Sequence, residues 1–381
     1  RAIPERTAEA NRGMACYKGK FGLDFVNSRK KIDKPMIRNN DVLEETSWPN
    51  ALDFISEKLS NYRNGEFALI GSPRGTNEDH YVGQKFAREF MNSANLDVSS
   101  NTHPEITKAL EEMIGTRNST SRIWQLLDTE CVLVVSSNIT ESQNVVSVPI
   151  KQAAANGTKI IVIDQRETEL TRYADIWLRP KVDSEVDLIG GLMRAIIDES
   201  LEDNDICQSF ENFTEFRNSL WDYDLTDIEM TTGISQDAIR EAARMFANAD
   251  TASTIYSLET VSPDLRQDCT ESVVNLSLMT GNVGNGPSGI YPMFKGANEQ
   301  GARDVGACLE YFPNHADADD SAIGVTNLAE SLVTGKIRAL QVVGDSPTFD
   351  DPQLGDFYKG FEKVELLIVH DTFESKLTDI A

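Results

Sequence analysis

Cys131-Val132-Leu133-Val134-Val135-Ser136 and Lys159-Ile160-Ile161-Val162-Ile163-Asp164 are apolar runs, each closed by a polar residue, with a helical pattern from Ser142 to Asn156 between them. Unbroken apolarity is what a strand covered on both faces requires. Two such strands joined by a helix make a βαβ unit, and the crossover makes them parallel. The same grammar runs outward along the chain. Glu66-Phe67-Ala68-Leu69-Ile70-Gly71 leads into a helical pattern from about His80 to Asn92. Thr254-Ile255-Tyr256, Arg338 to Gly344 and Glu365 to Asp371 are further strand-like runs. Ser47-Trp48-Pro49-Asn50 and Ser235-Gln236-Asp237-Ala238 read as helix starts with serine caps. Ligands of parallel sheets sit beyond the carboxyl ends of the strands. Polar stretches fall at those ends: Gly71-Ser72-Pro73-Arg74-Gly75-Thr76, Ser136-Ser137-Asn138, Asp164-Gln165-Arg166, Gly344-Asp345-Ser346-Pro347 and His370-Asp371.

The 381 residues suffice for two or three domains, and 40% apolar with 25% charged residues is ordinary globular usage. With 36 basic against 61 acidic side chains the net charge is -25, which repels phosphate backbones and anionic lipid. Nucleic-acid binding through bulk charge is therefore not expected. No stretch approaches the roughly 20 apolar residues of a membrane helix, so membrane insertion is not expected either. Five scattered cysteines argue against a disulfide framework and for a reducing, cytoplasmic setting. Cys131, Cys269 and Cys308, the last two in helical patterns, read as small buried hydrophobes, whereas Cys16 lies in a polar, glycine-bracketed loop. The chain opens on Arg1 and closes just after a strand-like run, and reads as a piece of a longer polypeptide.

Asp164-Gln165-Arg166 offers an acid for a guanine edge or ribose and an arginine for phosphate, although a solvated turn looks the same. The loop Thr280-Gly281-Asn282-Val283-Gly284-Asn285-Gly286-Pro287-Ser288-Gly289 lets backbone amides approach a ligand. Lys295-Gly296 through Gly306 sets amide and basic groups between glycines. His80, His103, His315 and His370 show no metalloenzyme spacing, and no P-loop, Rossmann glycine fingerprint or nucleophile elbow is present.

Cys16-Tyr17-Lys18-Gly19-Lys20-Phe21-Gly22, Gly71 through Glu78, Gln84-Lys85-Phe86-Ala87-Arg88, Asn95-Leu96-Asp97, Leu278 through Gly284, Lys295 through Gly306, Gly344 through Pro347 and His370-Asp371-Thr372-Phe373 form a colinear series. In that order and spacing the chain resembles the molybdopterin oxidoreductases of the formate dehydrogenase type. The resemblance implies an α/β fold of two Rossmann-like, doubly wound parallel-sheet domains, the formate dehydrogenase/DMSO reductase-like fold. Residues 1–43 would end an iron–sulfur domain and linker. Residues 44–100 with 296–381 would form the first pterin-dinucleotide domain, and residues 101–295 the second. By the same resemblance Cys16 is the last ligand of a 4Fe-4S cluster completed by cysteines upstream, and Lys18 lies between cluster and pterin. Arg74, Asn138, Asp164, Arg166 and Glu185 would line one molybdopterin guanine dinucleotide, and Gly281, Asn298, Gly344 and Asp371 the other, with molybdenum or tungsten between. Partners would be redox subunits carrying iron–sulfur or flavin centres.

The metal grip departs from the family. Where an arginine, a metal-binding selenocysteine or cysteine and a histidine are expected, the chain reads Asn101-Thr102-His103, one residue short. A neutral threonine hydroxyl is a poor substitute for a thiolate, and loss of the arginine removes the fork for a carboxylate substrate. Family glycines are also replaced, by Ser136, by Asp183 and within Ser257-Leu258-Glu259-Thr260, and the added acids repel phosphate. Gln165 stands for a proline, Gln143 for a histidine and Lys295 for an arginine. Two readings follow. One is a working electron-transfer subunit with oxygen ligation by Thr102 or Ser99. The other is a catalytically inactive, metal-free scaffold, as in the large peripheral subunit of complex I.

Overall fold

The computed structural model describes residues 2–40, 42–284, 286–309, 322–344, 349, 351 and 354–381. Asn285, His315 and Asp345-Ser346-Pro347 from the sequence reading lie outside the described residues. In chain order the strands are β1 (Met36–Asn39), β2 (Val42–Glu45), β3 (Phe67–Gly71), β4 (Leu96–Val98), β5 (Cys131–Val135) and β6 (Lys159–Ile163). They continue with β7 (Ile176–Leu178), β8 (Ala252–Tyr256), β9 (Gly289–Pro292), β10 (Ala339–Val343) and β11 (Leu366–His370). Contacts divide the chain into unit 1, Arg1–Lys20 with His103–Met293, and unit 2, Phe21–Thr102 with Phe294–Ala381.

Unit 1 carries a sheet in the order β7-β6-β5-β8-β9, parallel throughout. Side chains alternate across it with the period of two that a strand imposes. Cys131, Leu133 and Val135 of β5, with Ile161 and Ile163 of β6, pack under the helices Glu185–Asp198, Gln236–Ala247 and Arg266–Met279. Val132, Val134, Ile160 and Val162 point the other way, against Leu126, Ile139 and Ile150. Each such side chain taken fully out of water contributes about 1.5–3 kcal/mol. The apolar runs of the sequence are thus strands covered twice.

Unit 2 repeats the plan in the order β11-β10-β3-β4, again parallel, beside the antiparallel pair β1-β2. Ala68, Ile70, Leu340 and Val342 face the helices Val325–Val333 and Phe357–Phe361. Phe67, Leu69, Leu96 and Val98 face Leu59, Ala87 and Met91. The serine caps form as expected: Ser47 Oγ accepts the Asn50 N–H and Ser235 Oγ the Ala238 N–H, at 3.4 and 3.3 Å. The two expected doubly wound parallel sheets are present.

Three local expectations are corrected. The helix expected over 142–156 is two pieces, Ile139–Ser142 and Ser147–Ala155, because Pro149 has no N–H to donate and is tolerated only in a first turn. The helix expected from about His80 starts earlier, at Asn77 behind the Thr76 cap, and its last turn, Phe86–Phe90, is a π-helix. Cys308 is fully buried but not helical, since Gly306 at φ +75° has already ended the helix Glu299–Asp304.

Gly190 shows how tightly unit 1 is packed. A methyl added there would run into the ring of Tyr223. Gly190→Ala is expected to destabilise the protein by about 1–3 kcal/mol, despite the better helix propensity of alanine. A urea midpoint that stays put or rises would show that Tyr223 yields without cost.

Candidate functional site

In each sheet the chain reverses direction at one point, between β5 and β8 in unit 1 and between β3 and β10 in unit 2. The crevice outside the carboxyl ends of those strands is where such folds take ligands. In unit 2 that edge carries Asp371 after β11, Gly344 after β10, Arg74 after β3 and Thr102 after β4. Thr76 and Asp79 form a capping box that fixes the exit of the loop 71–76. Arg74 is exposed, and its guanidinium has no partner among the described residues. Asn298 is already committed: its Nδ2 donates to Gly75 O and Asn77 Oδ1, both at 2.9 Å. Gly296 carries no side chain for a steric reason, because a Cβ would strike Pro73 and the Ser100 hydroxyl.

The loop 99–102 rests on a buried polar chain. The Asp97 carboxylate accepts the Val325 N–H at 3.0 Å and the Asn101 Nδ2 at 2.9 Å. Arg303 Nη2 donates to Asn101 Oδ1 and Glu299 Oε1, both at 2.8 Å, and the guanidinium lies 4.5 Å from the Phe294 ring centre. Ser100 Oγ closes the chain on Glu299 Oε2 at 2.5 Å. Arg303 is 1% exposed and Glu299 3%. Burial pushes the Glu299 carboxyl above its usual range, and Arg303 and Ser100 pull it back. Within residues 295–306, Glu299 and Arg303 therefore hold this loop, while Asn298 holds Gly75 and Asn77. The sequence signal was a helical spacing of four between Glu299 and Arg303, which reads the same on a solvated surface.

In unit 1, Asn138 follows β5, Asp164 and Arg166 follow β6, and Glu185 opens the helix behind β7. Asp164 is fully buried and saturated by its neighbour: Oδ1 accepts Arg166 N at 2.8 Å and Nε at 3.2 Å, and Oδ2 accepts Nη2 at 3.2 Å. Glu185 is different. Its Oε1 accepts Gln165 Nε2 at 2.9 Å and Ser136 Oγ at 3.4 Å, while Oε2 is buried without a donor. Burial drives its carboxyl above the usual range, against the hydrogen bond from Gln165. Of the two carboxylates, Glu185 is the one left with an unsatisfied oxygen among the described residues.

His103 is held by a residue the sequence reading passed over. Arg266 Nη1 lies 2.6 Å from His103 Nδ1, and Nε donates to Val261 O. A guanidinium has no acceptor, so Nδ1 must accept and the ring proton sits on Nε2. The only trace of this in the sequence was a charged residue opening the helical pattern 266–279. Gly281 lies at the other end of the sheet, in the loop that enters β9. Its φ of +74° and a close approach to Asp203 account for the missing side chain. Cys16 is half-buried, its Sγ accepting Gly19 N–H at 3.4 Å, and Lys18 is exposed. Among the described residues no group of three or more His, Cys, Asp or Glu side chains is placed to hold a metal ion. None of their helices is long and apolar enough to cross a membrane.

Two parallel sheets, each with a switch point edged by polar residues, define a doubly wound α/β protein. The sequence model of the molybdopterin oxidoreductases matches residues 31–381, and the chain belongs to that family. It is 31% identical to F420-dependent formate dehydrogenase 2 subunit alpha of Methanococcus maripaludis, over 99% of this chain and 59% of that protein. It is also 31% identical to formate dehydrogenase H of Escherichia coli, over 98% of this chain and 57% of that one. The chain thus spans less than two thirds of these relatives. Acetylene hydratase from Pelobacter acetylenicus shares the fold, with a TM-score of 0.77 and 18% identity over 96% of this chain and 56% of its own.

Breaking the buried pair tests the 99–102 loop. Arg303→Leu leaves Glu299 uncompensated and is expected to cost about 3–5 kcal/mol, whereas Arg303→Met with Glu299→Leu is expected to recover most of that. Equal loss in the single and double variants, measured by urea unfolding, would mean that the pair is not what couples these residues.

Proposed function

We propose that this chain forms the nucleotide-binding part of a formate dehydrogenase-type molybdopterin oxidoreductase subunit that takes part in electron transfer. One observation carries the reading. Each sheet presents an uncommitted polar group near its switch point: the Arg74 guanidinium in unit 2 and Glu185 Oε2 in unit 1. A buried carboxylate oxygen without a donor suits the N–H groups of a guanine edge, and a free guanidinium suits a phosphate. The residues therefore fit the nucleotide ends of a molybdopterin guanine dinucleotide. In this reading Asn138, Asp164, Arg166 and Glu185 serve one dinucleotide and Asn298, Gly344 and Asp371 the other, with Arg74 toward a phosphate, whereas Gly281, at the opposite end of the unit 1 sheet, serves neither.

They do not fit a thiolate-held metal, because Thr102 brings only a hydroxyl. When bound, molybdenum or tungsten in such a cofactor supplies two-electron redox chemistry. Arg266 at His103 Nδ1 leaves the ring proton on Nε2. Cys16, with cysteines upstream, would hold a 4Fe-4S cluster, and Lys18 would stand beside it. The relatives named as alpha subunits support redox partner subunits carrying iron–sulfur or flavin centres. Five free cysteines support a cytoplasmic setting. The names of the relatives favour an oxidoreductase over a scaffold.

Full-length protein is expected to release guanosine monophosphate on acid hydrolysis and to carry molybdenum or tungsten by mass spectrometry. Iron with neither would return the scaffold reading. Thr102→Cys alone is expected to give no formate oxidation, since Asn101 is bound to Asp97 and Arg303 and offers no carboxylate fork. Turnover in that single variant would show that the missing arginine is dispensable.

A further inference from the structure

The carboxyl edge of unit 1 holds a cation that is already answered. Arg166 Nη1 and Nη2 both point at Glu259 Oε2, each at 3.4 Å, while Asp164 holds the other side of the guanidinium. Ser257 and Ser142 donate to Glu259 Oε1 at 3.2 and 3.4 Å. A carboxylate set against an arginine fork, with hydroxyls on its second oxygen, is the arrangement a ligand phosphate would adopt there. Burial works against the Arg166 charge, but the hydrogen bonds and attraction of Asp164 and Glu259 outweigh it.

The backbone shows that this contact is built. Glu259 N–H docks on Ser136 O at 2.9 Å, which ties the turn after β8 to the end of β5 across the switch point. Ser136 sits at φ +44° and Leu258 at +53°, both in the left-handed region that non-glycine residues seldom adopt. Leu258 is fully buried and anchors the turn from below. At its far end the turn is pinned by Asp183, itself at φ +60°, whose carboxylate accepts Ser262 N–H at 2.9 Å and Ser262 Oγ–H at 2.6 Å. Strained residues persist only where their surroundings over-determine them. Three of them converge on the turn that aims Glu259.

We propose that Glu259 is a specificity-determining residue that occupies the anion position on Arg166, so that unit 1 accepts the nucleoside part of a nucleotide and disfavours a phosphate at that arginine. This rests on the nucleotide-binding reading above and goes further, because it sets which part of the ligand each charged residue can meet. Arg74 in unit 2 has no such internal anion among the described residues.

The test is calorimetric titration of the full chain with guanosine diphosphate and with guanosine. A phosphate about 4 Å from a carboxylate at partial exposure is repelled enough that Glu259→Gln is expected to tighten guanosine diphosphate about tenfold or more. Guanosine, which has no charge to repel, is expected to bind wild type and variant alike. Arg166→Gln in the Glu259→Gln background is expected to abolish the gain, and Glu259→Ala to reproduce it. Equal affinity of wild type and Glu259→Gln for guanosine diphosphate, an equal gain for both ligands, or no binding to either protein would each overturn the proposal. Of those results only the absence of binding also counts against the nucleotide-binding reading; the other two leave it standing, and it is tested separately by the guanosine monophosphate and metal content of full-length protein.

Discussion

A parallel strand whose residues are apolar on both faces must be covered on both faces, and that requirement organises the whole molecule. Helices can cover such a sheet only by crossing from the carboxyl end of one strand to the amino end of the next. The loops leaving the carboxyl ends are then free of packing duty, and at the switch point two of them diverge and leave a crevice. Unit 1 places Ser136–Asn138 and Ser257–Glu259 there, and unit 2 places the loop 71–76 and Gly344. The placement of the candidate site follows from how the core is buried.

What fills the two edges differs in kind. In unit 2 a buried ion pair, Glu299 with Arg303, organises the loop 99–102 and leaves Arg74 outside the network. In unit 1 charges neutralise one another at the crevice itself, through Asp164, Arg166 and Glu259. Buried polar groups are expensive without a partner, and at this edge Glu185 Oε2 is the carboxylate oxygen left open, beside the hydroxyls of Tyr256 and Thr260. An acidic chain that repels phosphate in bulk has kept one exposed cation open and closed another from within.

Membership in the molybdopterin oxidoreductases gives these edges their context. It does not dictate their detail. Thr102 brings only a hydroxyl, His103 is contacted by Arg266 from the start of the helix Arg266–Met279, and Ser136, Asp183 and Leu258 hold left-handed backbone without being glycine. Conformation is held by many neighbours at once, whereas a side chain can change alone.

The apolar strand runs, their covering on both faces and the serine caps were legible in the residues, because burial and capping act locally and leave periodic traces. The run Cys131–Val135 could hardly be anything but a buried strand. Asp164 and Arg166 were legible as neighbours at a strand end, but their mutual saturation was not. Arg303 with Asn101, Arg266 with His103 and Glu259 with Arg166 join residues between 93 and 202 positions apart. Sequence determined which groups were present and which edge they would line. Only the tertiary structure decided which charges meet, because electrostatic partnership depends on distances of a few ångströms that chain separation does not encode.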